Sequence, residues 1–206
     1  GQHTSVAAMI EARPYPWPYD GRLELDRVGF VLIGPRRILT KCDPGQRVTG
    51  LCQDLLRAAR GTAVKPVIVR YGHSVEARVS SPLIPEIFTP DWEFMPELAP
   101  MRGEIVIDAP TLDAYHATYL DVALRRAGIK YLVFSGFGTE AGVYATLATA
   151  NDLGYDCLSV EDAYAGVVPN LHAAVIRMIL NVPGIYGAVS QAYRVIEALG
   201  VPDRSP

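Results

Sequence analysis

The chain reads as an α/β protein: a doubly wound, mostly parallel sheet with helices on both faces. Three observations predict this. Short apolar runs such as Arg27–Ile33 (RVGFVLI) carry no polar alternation, as strands buried on both faces do. Amphipathic stretches with helical spacing fall between those runs, so strand and helix alternate along the chain. Glycine-containing turns, including Gly34-Pro35 and Gly136-Phe-Gly138, follow the apolar runs where a sheet's carboxyl edge would lie. The 206 residues suit one compact domain, and half of them are apolar, enough for a sizeable core.

Residues 1–25 hold Pro14, Pro16 and Pro18 in RPYPWPYDG. They read as an extended arm docking through Trp17 and Tyr19, with 26–206 as the folded unit. The first strand covers 27–33. A helix over 46–59 turns Val48, Leu51, Leu55 and Leu56 inward and stops at Gly61. A second strand covers 64–71. A proline-rich loop from Gly72 to Gly103 holds His73, Glu76, Trp92 and Glu93, and loops of that length in compact domains usually carry function. A third strand is expected over 104–108 and a helix over 118–128.

Lys130–Tyr155 (KYLVFSGFGTEAGVYATLATANDLGY) organises the rest. A strand over 131–135 meets a glycine turn. A helix starts near Glu140 with Val143, Leu147 and Ala150 on one face and Gly154 as its stop. Open α/β sheets place ligands at such a mouth, where the helix start offers free N–H groups and partial positive charge. Further elements are a strand over 156–160, a helix over 170–180, a strand over 185–189 and a last helix ending at Gly200.

A net charge of −3 gives no support to a nucleic-acid or anionic-membrane role. Three cysteines without short spacing argue against a disulfide framework and a zinc site. Cys52 and Cys157 fall in helix and strand patterns as buried fillers, whereas Cys42 lies in a loop and is the one to test for reactivity. No apolar run reaches membrane-spanning length and no secretory leader is visible, so the cytoplasm is the expected compartment. The glycines have neither dinucleotide-binding nor P-loop spacing, and no cofactor or metal is expected.

The PYPWPYDG arm, the Tyr71-Gly-His block, Trp92-Glu-Phe-Met-Pro-Glu-Leu, GYDCLSVEDAYAG and Gly136-x-x-Thr139-x-x-Gly142-Val143 together resemble the isochorismatase-like cysteine hydrolase superfamily. The likeness runs over nearly the whole chain, and its nearest branch looks like the ureidoacrylate and biuret amidohydrolases. The resemblance implies an Asp–Lys–Cys triad in which a thiolate attacks an amide carbonyl. Aligned on these motifs, the Asp position is Gly34, the Lys position Ala109 and the Cys position Gly142. Three tiny residues read as a native site emptied of its reactive groups, with an enlarged pocket stripped of charge.

The resemblance also implies an oxyanion cradle from the N–H groups of Gly138 and Gly142, and a cis bond between Phe137 and Gly138. Candidate polar groups are Tyr115, His73 and Arg36 for proton transfer, with Glu93, Trp92, Gly34 and Ala109 lining the ligand. Arg36 or Arg37 could grip a carboxylate bidentately. His116 follows Tyr115, and Glu140 and Cys42 have blander readings as a helix cap and an inert thiol. The leading expectation is a small-molecule enzyme with non-covalent carbonyl chemistry; the alternatives are a pseudoenzyme acting as a binding or assembly subunit and a residual amidohydrolase using Cys42. The expected partners are a ligand bearing a carbonyl or carboxylate and, by resemblance, further copies of the chain in a tetramer.

Overall fold

The computed structural model describes residues 6–77 and 81–200. A two-residue pair, β1 (Val6–Ala7) with β2 (Leu23–Glu24), ties the arm into an antiparallel loop. The main sheet contains β3 (Val28–Ile33), β4 (Lys65–Tyr71), β5 (Ile105–Ala109), β6 (Tyr131–Phe137), β7 (Asp156–Ala165) and β8 (Ala188–Ser190). Its order is β5-β4-β3-β6-β7-β8, with every neighbouring pair parallel. The winding direction reverses between β3 and β6, the point at which such sheets open a crevice.

Alternation along the central strands divides the core in two. Phe30, Leu32, Tyr131 and Val133 face one layer, where α1 (Arg47–Arg60) and α5 (Ala192–Ala198) pack through Cys52, Leu55, Leu56, Ala192 and Val195. Val31, Ile33, Leu132 and Phe134 face the other, covered by α2 (Leu120–Arg126), α3 (Tyr144–Asp152) and α4 (Pro169–Asn181). Both faces are therefore apolar, which is why β3 and β6 are buried at every position. Among the described residues no helix is long and apolar enough to cross a membrane.

The arm docks through Trp17 rather than Tyr19. Trp17 is fully buried, and its Nε1 donates to Asp156 Oδ1 at 2.9 Å. The Tyr19 ring is 77% exposed, although its backbone N–H donates to Asp156 Oδ2. Arg13 exchanges two backbone hydrogen bonds with Val189, at 2.9 and 2.7 Å, so the arm lies along the edge strand β8.

Three segments differ from the sequence reading. The segment after β6 is first a wide π-type turn, Thr139–Val143, and becomes α-helical only at Tyr144. β7 runs five residues longer than its apolar core because it is irregular opposite Phe134 and Gly136 and then resumes pairing at Tyr164. Strand β8 begins at Ala188, since residues 182–187 form the turn that leaves α4.

Candidate functional site at the carboxyl edge of the sheet

Gly34 follows β3, Ala109 ends β5, and Gly142 lies in the turn after β6, so the fold brings these three positions to one edge. Gly34 has φ +63, and its N–H donates to Val69 O at 2.8 Å. A Cβ at Gly34 would meet Phe137 O at 3.3 Å, so a side chain here would be both strained and tightly placed. Gly72 N–H donates to Ala109 O, which joins the ends of β4 and β5.

The seat at position 142, expected to be open, is filled. Tyr71 ends β4, is 1% exposed, and turns its ring into the seat at position 142. A Cβ built on Gly142 would stand 2.9 Å from two ring carbons and from the phenol oxygen. Tyr71 Oη lies 3.4 Å from Gly142 O and 3.2 Å from Thr146 Oγ1. Burial raises its pKa well above that of an ordinary phenol, so Tyr71 stays a neutral donor.

Arg36 lies beside it and is equally buried. Its Nη1 donates to Tyr71 O at 3.1 Å and Leu83 O at 2.5 Å, and its guanidinium carbon sits 5.2 Å from the Tyr71 ring centroid. Nε has no partner among the described residues. Desolvation lowers its pKa to about 10, so the group remains a cation at neutral pH. The segment 91–95 closes over this cation. Arg37 N–H donates to Glu93 O, Ile38 N–H to Asp91 O, and Met95 N–H to Pro35 O. Trp92 is buried under the Arg70 guanidinium, 3.3 Å from its ring centroid, and Arg70 pairs with Asp108 at 2.7 Å.

The other expected site groups are dispersed. Gly138 N–H donates to Ala165 O at 2.7 Å and is engaged in the sheet. The cis bonds among the described residues precede Pro14 and Pro18, so Phe137–Gly138 is trans. The Tyr115 ring stacks 6.1 Å from Tyr155, the residue just before β7, and its hydroxyl is buried without a partner among the described residues. It therefore lies toward the amino end of the sheet and away from Gly142. His73 pairs with Glu86 across the loop and places Nδ1 2.7 Å from Ser74 O. Glu93, Glu76 and His116 are exposed. Glu140 does not cap the helix it precedes: its carboxylate accepts the N–H groups of Val167 and Val168, in the turn that leads into α4. Burial raises the Cys42 pKa, which opposes thiolate formation.

One pair escaped the sequence reading. Thr139 Oγ1 and His172 Nδ1 lie 2.8 Å apart at this edge, with Thr139 fully buried. Desolvation lowers the His172 pKa, against smaller opposing effects of Glu161 and Glu140. The available signal was a histidine in the first turn of a helix that starts at the carboxyl edge.

The comparisons agree with this architecture. The Isochorismatase domain model matches residues 29–189. A ureidoacrylate amidohydrolase, RutB, of Methylobacterium radiotolerans is 33% identical over 117 residues, covering 56% of this chain and 44% of the relative. The uncharacterized isochorismatase family protein YwoC of Bacillus subtilis is 36% identical over 90 residues, 43% of this chain and 48% of the relative. The matched stretch thus spans about half the length of these relatives. Among solved structures, a cysteine hydrolase from Pseudomonas syringae pv. phaseolicola superposes with TM-score 0.78 at 18% identity, covering 93% of this chain and 96% of that one. A putative hydrolase of the isochorismatase family from Chromobacterium violaceum gives 0.72 at 26%, covering 85% and 94%. With a family model matched across its whole central sheet, this chain belongs to the isochorismatase family.

Proposed function

We propose that this chain is a non-hydrolysing member of its family that serves as a binding or assembly subunit. The observation carrying this reading is Tyr71: its ring stands where a side chain at position 142 would have to be. If Gly34, Ala109 and Gly142 are the family's Asp, Lys and Cys positions, neither nucleophile nor base remains, and the room for an acyl intermediate is taken. An exposed apolar series on and after α4, Leu171, Met178, Val182 and Ile185, supports assembly with further copies, with a tetramer as the working expectation.

The test is incubation with a panel of ureidoacrylate-type, biuret-type and other carbamoyl amides, followed by mass spectrometry. No turnover above the uncatalysed rate is the expected result. Turnover that an Arg36 or Tyr71 variant abolishes would overturn the reading.

One observation favours a second reading, non-covalent carbonyl chemistry. The Arg36 cation is retained with an Nε that has no partner among the described residues, the kind of donor a carboxylate or carbonyl would use. Saturable binding of a small carboxylate that Arg36→Met removes is the result expected on this reading.

A further inference from the structure

The opposite, amino edge of the sheet carries an open cleft of about 540 Å³. That volume lies within the range of small-molecule sites. The arm supplies one wall, with Tyr15 and Tyr19 in edge-to-face contact at 5.2 Å and 83°. The other walls come from Lys130 before β6, Asp156 at the start of β7, and Asn151 near the end of α3. Gly154 and Gly184 leave adjoining parts of the rim without side chains.

The charge of this cleft has a definite sign. Asp20 is matched by Lys130, whose Nζ lies 2.7 Å from its Oδ2, and by the Tyr131 hydroxyl, also at 2.7 Å. Asp156 has no such match among the described residues. It accepts one hydrogen bond on each oxygen, from Trp17 and Tyr19, and forms no ion pair. Each oxygen of a carboxylate can accept again. The carboxyl end of α3 opens onto the same cleft and adds partial negative charge. The residual field is therefore negative and bordered by tyrosine rings, a combination that selects a flat cation by charge and by cation–π contact.

We propose that this cleft binds a small, flat organic cation, a protonated amidine or aromatic amine, with its charge toward Asp156 and its ring against Tyr15 and Tyr19. The site is built by the arm and does not depend on the state of the carboxyl edge.

The experiment uses the full chain and two matched probes, benzamidinium and benzoate, titrated by calorimetry at low salt. Benzamidinium is expected to saturate one site and benzoate to give no binding. Tyr19→Ala, at an exposed ring, is expected to weaken benzamidinium about two- to fivefold. Asn151→Lys, which sets a second cation on the rim, is expected to weaken it further. Absence of saturation, equal binding of the two probes, or a dissociation constant indifferent to both variants would each overturn the proposal.

Discussion

The two edges of the sheet treat space in opposite ways. At the carboxyl edge large side chains turn inward: Tyr71 occupies the seat above Gly142, Arg36 is sealed behind it, and residues 91–95 close over both. At the amino edge the arm holds a cleft open, with Tyr19 in solvent and Asp156 in no ion pair among the described residues. The same fold fills one crevice and frames another. What decides between them is which side chains end the strands, not the strands themselves.

The largest expected effect is at the filled edge. Tyr71→Ala removes a fully buried ring and should destabilise the protein by about 3–5 kcal/mol, read from urea denaturation. A much smaller loss would mean that the ring is loosely held and the seat accessible. Gly142→Cys comes next. Its Cβ must displace the Tyr71 ring, so overpacking should cost about 1–3 kcal/mol, and no amide hydrolysis should appear in the mass-spectrometric assay. Combining it with Tyr71→Ala relieves the clash, and the two changes should be non-additive in a double-mutant cycle.

A smaller effect concerns pH. Burial holds the His172 pKa below 6.5, so the unfolded chain binds more protons between those two values. The contribution is complete above 6.5 and is lost as pH falls from there through the folded value. His172→Gln should flatten the acid limb of a stability-versus-pH curve. An unchanged slope would show that the histidine is already well solvated. The smallest effect is chemical: at neutral pH, iodoacetamide should label Cys42 alone, and more slowly than a free thiol, because Cys52 and Cys157 are buried and burial raises the Cys42 pKa.

Much of this architecture is legible in the sequence. Continuous apolar runs mark β3, β4 and β6, because parallel strands covered on both faces need no alternation. Leu147 and Ala150 mark the inner face of α3, Val143 lies at its N-cap, and all three are fully buried. The motif spacing brings Gly34, Ala109 and Gly142 to one edge. The occupation of that edge is not legible. Tyr71 reads as one more apolar residue of a strand, and its reach into the seat at 142 depends on the relative height of β4 and the turn after β6. Arg36 and Arg37 look alike in sequence, yet the pairing of 35–38 with 91–95 buries one and exposes the other. The position of Tyr115 is illegible for a similar reason, because its ring direction follows from packing on Tyr155.

The pairing of Arg13 with Val189 reaches beyond the cleft it helps to frame. β8 is the last strand of the sheet, and an outermost strand with free N–H and C=O groups is a template for intermolecular strand addition. The arm occupies both backbone groups of Val189. Its removal would therefore uncover a sticky margin, and a truncated chain that self-associates through that strand would reveal the arm as a guard against aggregation.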